Sequence, residues 1–354
     1  MNYNPFSRGP FPVGVLSQDL YHSLRKRTLP TEIWYPATDE YRGQDLSEET
    51  KDKFSIVDIP LTQEAVRDAK LHDGTFPLIL YSHGYGAYRR LAPHLCTHLA
   101  SHGYVVVSPD HFGTTIMDLI SFADKTEQEI MKIIGQGFLN RPRDIRFLIN
   151  CILRDETSIP SNVIDEERIG VIGYSIGGWT ILMATSKDER ISAALPIALP
   201  GGASQDPNEQ DPMYETLKAL DLNWKREVPT LYLAAEKDNQ VPIATIYDLF
   251  NRTHEPKSMV VLNNADHLQF CANMEPTHEW MRSQPEMVLG DTPATKRIKE
   301  NMLPFRSYAL QNKQMISYVD LGSLIWMLIS SKIRLRLNGL RVILKLLWLI
   351  EGWM

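Results

Sequence analysis

Ile172-Gly173-Tyr174-Ser175-Ile176-Gly177-Gly178-Trp179 directly follows the apolar run Ile169-Gly170-Val171. A buried strand that ends in Gly-x-Ser-x-Gly and opens a helix predicts a tight strand-to-helix turn with its serine at the apex. The five-residue pattern alone is weak, since chance supplies about 0.1 per chain of this length. Its context gives it meaning. Gly173 and Gly177 flank the serine where side chains would crowd such a turn, and Gly178 would let the new helix approach the sheet. Ser175 is therefore the candidate nucleophile.

Outward from this stretch, short apolar and β-branched runs recur. Glu32–Tyr35, Leu78–Ser82, Tyr104–Val107, Ile169–Gly173, Ala193–Ile197, Thr230–Ala234 and Met259–Leu262 read as buried strands. Helical spacing lies between most of them. Pro93–His102 places Leu95, Leu99 and Ala100 on one face. Pro142–Leu153 places Ile145, Leu148, Ile149 and Ile152 together, with proline at a plausible first helical position. Ile176–Ser186 follows the serine. The alternation predicts an α/β fold, a mostly parallel central sheet flanked by helices.

Three segments fit this skeleton poorly and are expected to be insertions. The polar, acidic stretch 39–73 is read as a surface wrap with a short helix near Gln63–Lys70. Residues 114–140 and 200–227 follow strand ends and are predicted as helical lid or pocket walls.

A serine hydroxyl needs a base, and the base an orienting partner. Asp238 follows the run Thr230–Ala234, and His267 follows Met259–Leu262. The chain order Ser175, Asp238, His267 on strand ends is that of a nucleophile elbow fold. His267 would take the Ser175 proton, and Asp238 would fix its tautomer. Asp266 and Glu236 are the rival acids, and His278 is a rival base. An oxyanion needs two converging N–H donors. The Ile176 N–H, just after the serine, is one. The Tyr85 N–H, in Ser82-His83-Gly84-Tyr85-Gly86 at the end of an early strand, is the other. Phe112, Met117 and Trp179 are candidate acyl-pocket residues. Asp110-His111 is read as a structural hydrogen-bonding pair. His94, His98 and His102 recur at helical spacing, but no metal site is assigned to them and none is expected.

With the elbow and the acid and base in place, the chain resembles the α/β-hydrolase superfamily. Ser82–Arg89, Leu99–Val106 and Ile169–Gly178 resemble its platelet-activating-factor acetylhydrolase and dienelactone-hydrolase-like branch. The resemblance spans roughly residues 10–275. It implies a cofactor-free serine hydrolase of short-chain or phospholipid acyl esters, with Tyr85 and Ile176 at the oxyanion positions. Hydrolysis of lactones or polyesters is the alternative within the fold, and a non-catalytic binding protein the alternative outside it. Tyr174 stands where the branch often has histidine. The loop from Ala198 to Gly202 carries no carboxylate, which leaves the acid to Asp238. The nucleophile is serine, where typical dienelactone hydrolases have cysteine.

Composition bounds the rest. The 354 residues carry a net charge of −6, which gives no electrostatic reason to expect a nucleic-acid partner. Three cysteines do not make a disulfide framework and suit a reducing compartment. No charged-then-apolar leader opens the chain, so a cytoplasmic location is expected, although a secreted chain stripped of its signal would look the same. The reading divides the chain into a hydrolase domain over 1–300 and an extension over 301–354. Within 321–354, apolar runs are punctuated by Lys332, Arg334, Arg336, Arg341 and Lys345. Neither run reaches the roughly 18 to 20 residues of a membrane span. Core packing, an interfacial membrane helix and sequence foreign to the fold are the three readings of this tail.

Overall fold

The computed structural model describes residues 7–56, 59–200, 218–238, 240–241 and 243–271. In chain order the strands are β1 (Val13–His22), β2 (Arg27–Pro36), β3 (Asp52–Ile56), β4 (Ile59–Gln63), β5 (Val66–Arg67), β6 (Phe76–Ser82), β7 (Val105–Pro109), β8 (Ile164–Tyr174), β9 (Ile191–Ile197), β10 (Thr230–Ala235) and β11 (Lys257–Leu262). The helices treated below are α1 (Pro93–Ser101), α2 (Ile116–Ile120), α3 (Glu127–Leu153), α4 (Ile176–Lys187) and α5 (Ile243–Arg252).

Among the described residues, nine strands form one sheet in the order β11-β10-β9-β8-β6-β7-β2-β1-β5. From β11 through β7 every pairing is parallel. Strand β2 then runs antiparallel to both β7 and β1. Crossover helices cover both faces, so the inner parallel strands are largely buried on both sides, while the edge strand β11 is half-buried. Leu78, Leu80, Val105, Val107, Ile169 and Val171 point into one core, with α3 and α4. Ile79, Tyr81, Val106, Ile172 and Tyr174 point into the other, with α1. This is the period-two alternation of a pleated strand with two apolar faces. The fold is an α/β-hydrolase fold.

Helix α4 is buried on every side from Ile176 to Thr185. Its two enclosed threonines cost little, because Thr180 Oγ1 donates to Ile176 O at 2.9 Å and Thr185 Oγ1 to Ile181 O at 2.8 Å. Above its first turns lies a third apolar cluster, in which Phe122, Ile134 and Phe138 pack on Ile176, Trp179 and Met183. The segment 114–140 thus holds α2 and the first half of α3, each opened by a capping box, Thr115 with Asp118 and Thr126 with Glu129.

Two expectations are corrected. The stretch near Gln63–Lys70 is not a helix. Gln63 ends β4, and β5 pairs with β1 through Gly14 to Val66 and Val15 to Arg67. Sheet-edge pairing and the ion pairs of Arg67 with Glu32 and Asp52 override its local pattern. Pro142 does not start a helix but lies inside the 27-residue α3. Proline removes one intrahelical hydrogen bond. Burial of Phe138 on one side and Ile145, Leu148 and Ile149 on the other carries the helix through it. Most of 200–227 and all of 301–354 fall outside the described residues. No described helix is long and apolar enough to cross a membrane.

Candidate active site

Ser175 sits between β8 and α4 with φ 53° and ψ −126°. A positive φ in a non-glycine residue is strained and needs support from its surroundings. The Ser175 N–H donates to Ile197 O at the end of β9 (2.8 Å), and Ser175 O accepts from Gly178 N (2.8 Å). The flanking glycines are required sterically. A Cβ on Gly173 would fall 2.1 Å from Gly177 O, and one on Gly177 would fall 2.0 Å from Ser82 O. The serine itself is half-buried.

His267 opens a short 3-10 turn, His267–Phe270, beyond β11, and Asp238 follows β10. His267 Nε2 lies 3.1 Å from Ser175 Oγ, and its Nδ1 lies 2.7 Å from Asp238 Oδ2. The ionised carboxylate can only accept, so Nδ1 carries the proton and Nε2 accepts from the serine hydroxyl. Asp238 Oδ1 accepts from the N–H groups of Gln240 (2.9 Å) and Val241 (2.7 Å). Both oxygens of the acid are thereby used, one to hold its own loop and one to hold the imidazole.

The rival residues are otherwise engaged. Asp266 caps the 3-10 turn by accepting from Leu268 N at 2.9 Å. Glu236 is occupied by Asn264 N at 2.8 Å. His278 lies outside the described residues.

Tyr174 joins the parts of the site. Its hydroxyl donates to His267 O at 2.9 Å, and its ring centroid lies 5.1 Å from that of His267. Burial pushes its phenol pKa well up, so it remains a donor. On the other side, Gly84 rests against the Tyr174 ring, and a Cβ there would lie 3.1 Å from it and 3.4 Å from Ser175 Cβ. The loop bearing Tyr85 thus passes directly over the serine. As the first residue of α4, Ile176 has an N–H with no intrahelical acceptor.

The three pocket candidates separate. Trp179 is buried in the cluster above α4, and Tyr85 packs against that cluster with its ring 5.9 Å from Phe138. Phe112 is 63% exposed, beneath the Arg27 guanidinium, and Met117 is 55% exposed. Both are surface residues: buried His111 and Thr114 take the inward positions of the loop beside Phe112, and Ile116 takes the inward position of α2 beside Met117. The His98 and His102 rings lie 4.6 Å apart, tilted by 58°, and among the described residues no cluster of metal-ligating side chains forms.

Sequence reading missed Arg141 and Asp144. Both are fully buried on α3. Asp144 accepts from His111 Nδ1 (2.9 Å), Arg25 (2.6 Å) and Arg27 (3.2 Å), and His111 Nε2 accepts from Ser82 Oγ (3.0 Å). The only sequence signal was the charge of these residues among apolar neighbours.

The fold and this arrangement define an α/β-hydrolase. The chain belongs to the dienelactone hydrolase family, whose model matches residues 79–285. A second model, for platelet-activating factor acetylhydrolase, isoform II, matches residues 19–136. The platelet-activating factor acetylhydrolase of Bos taurus is 24% identical over 242 residues, 54% of each chain. Cutinase est1 of Thermobifida alba is 26% identical over 199 residues, covering 55% of this chain and 54% of that one. The chain thus spans about half the length of these curated relatives. A ferulic acid esterase from Streptomyces cinnamoneus shares the fold, with a TM-score of 0.53 and 20% identity over 86% of this chain and 94% of the other.

Proposed function

We propose that the protein is a serine hydrolase of carboxylic esters that works through an acyl-enzyme. The observation that carries this is the hydrogen-bonded line from Ser175 Oγ through His267 to Asp238, with the serine raised on a strained turn. His267 Nε2 takes the hydroxyl proton as Ser175 Oγ forms a bond to the ester carbonyl carbon. The charge moves to the carbonyl oxygen, where the N–H groups of Tyr85 and Ile176 are its donors. Collapse breaks the bond to the alcohol oxygen, which leaves with the proton from His267. Water, deprotonated by the same imidazole, then releases the acid and restores the serine. Asp238 stays ionised and stabilises the imidazolium.

The substrate class is small or lipid acyl esters. The relatives named for an acetylhydrolase and a cutinase support ester bonds and leave the acyl partner open. A fluorophosphonate should label Ser175, and Ser175→Ala should lose both labelling and ester turnover. A folded wild type that resists the probe would sink the reading. A panel of p-nitrophenyl esters of graded length, lactones, acetylated phospholipids and a polyester film ranks the substrates. Peripheral membrane contact through 321–354 belongs to the same proposal. Co-sedimentation of the full chain with anionic vesicles tests it, and a protein left in the supernatant refutes it.

A further inference from the structure

Behind the loop that passes over Ser175 lies a charged group with no catalytic contact of its own. The Arg141 side chain is fully buried. Its Nη1 donates to His83 O at 2.6 Å and its Nη2 to Gly84 O at 3.2 Å. Nε and Nη2 also donate to Thr114 Oγ1, at 3.1 and 2.8 Å. Thr114 Oγ1 in turn donates to His111 O at 2.8 Å. Among the described residues no carboxylate hydrogen-bonds this guanidinium, as the nearby Asp144 is taken by His111, Arg25 and Arg27. Burying a charge on backbone carbonyls is costly. A guanidinium is the side chain that can still span two of them with fixed geometry.

A second donor converges on the same carbonyl. The His111 N–H donates to His83 Nε2 at 3.2 Å, so that nitrogen is the acceptor and the ring proton sits on Nδ1. His83 Nδ1 then donates to Gly84 O at 2.7 Å. The Gly84 carbonyl is held from one side by an arginine and a histidine. A trans peptide is planar, with its N–H opposite its C=O. Fixing Gly84 O therefore fixes the Tyr85 N–H to face away from Arg141. Charge-assisted bonds at the oxygen also polarise that peptide, which makes its N–H a stronger donor.

We infer that Arg141 is a positioning residue for catalysis, a clamp on the Gly84–Tyr85 peptide that aims and strengthens the Tyr85 N–H toward the oxyanion. The inference rests on the serine-hydrolase reading above. The Ser82-His111-Asp144 relay beside it is fully enclosed and braces the same loop. It repeats the order of a nucleophile, base and acid without access to substrate.

The test is steady-state turnover of a p-nitrophenyl ester by the full chain. Arg141→Met should lower kcat by about 100-fold, the scale of losing one oxyanion donor, while KM moves by less than about threefold. Thr114→Val preserves shape and frees the guanidinium on one side. It should lower kcat by about tenfold, again at nearly constant KM. Affinity for a trifluoromethyl ketone, which forms a tetrahedral adduct, should fall in step with kcat/KM in both variants. Should Arg141→Met fail to fold, Thr114→Val decides alone. Full kcat in the folded variants, or a loss confined to KM, overturns the clamp. Fluorophosphonate labelling of wild type reports the serine reading separately. A labelled wild type with fully active variants removes only the clamp.

Discussion

The hydroxyl of Tyr174 donates to the main-chain carbonyl of His267 at 2.9 Å, although the two are 93 residues apart. Tyr174 precedes the serine and His267 follows β11, so one bond sets the distance between the elbow and the loop of the base. Tyr174→Phe keeps the ring packing and leaves a carbonyl without its donor. Such a loss costs about 1–3 kcal/mol. Turnover is expected to fall about three- to tenfold as the His267 loop gains freedom. Thermal unfolding and kcat measured together check this. An unchanged kcat would show that the loop is held without the bond.

Asp238 uses one oxygen for backbone N–H groups and the other for His267. Asp238→Asn retains an oxygen for Gln240 and Val241 and turns an NH₂ toward the imidazole. Nδ1 must then accept, the proton moves to Nε2, and the ring can no longer take the serine proton. The expected loss in kcat is about 10⁴-fold with the fold intact. Turnover and circular dichroism of the variant provide the check. A loss below tenfold would assign the orienting role elsewhere.

What was legible in the sequence follows from which forces are local. Strand β6 and the second half of β8, from Ile169, are apolar on both faces, so their composition declares them. Ser175, Asp238 and His267 were visible because each directly follows such a run. Strand β1 was missed because its second half alternates with exposed polar residues, and its partner β5 is only two residues long. The same weakness let Gln63–Lys70 read as a helix. Arg141 and Asp144 were hidden for another reason. Their partners lie 27 to 119 residues away, and nothing in the local pattern of α3 separates a buried charge from a solvated one.

The bracing network makes stability pH-dependent. Burial, with the Arg141 charge, lowers the His111 pKa to about 4, outweighing the hydrogen bond that His111 donates to Asp144. Burial and Arg141 also lower that of His83. Unfolded histidines titrate near 6.5. Between about pH 6.5 and 4 the unfolded chain therefore binds more protons than the native one, and stability falls as pH falls. Each neutral buried histidine contributes a slope of up to about 1.4 kcal/mol per pH unit. The unfolding midpoint should drop steeply from pH 6.5 to 4.5. His111→Gln should lower it at pH 7 and flatten the dependence. A midpoint constant across that window would mean these rings are not held neutral.

Two glycine substitutions should act in opposite directions. A Cβ at Gly177 would lie 2.0 Å from Ser82 O, inside the contact between α4 and the end of β6. Neither backbone can yield without moving Ser175, so Gly177→Ala should abolish turnover and cost about 3 kcal/mol or more. Gly135 lies within α3, and among the described residues no heavy atom beyond its own helix backbone lies within 4 Å of the place a Cβ would take. There glycine only adds disorder to the unfolded chain, and Gly135→Ala should stabilise by about 0.5–1 kcal/mol with turnover intact. Denaturant unfolding and ester turnover on both variants measure the contrast. If Gly177→Ala keeps its activity, the elbow is looser than its geometry states. If Gly135→Ala loses stability, that face of α3 is less open than its geometry states.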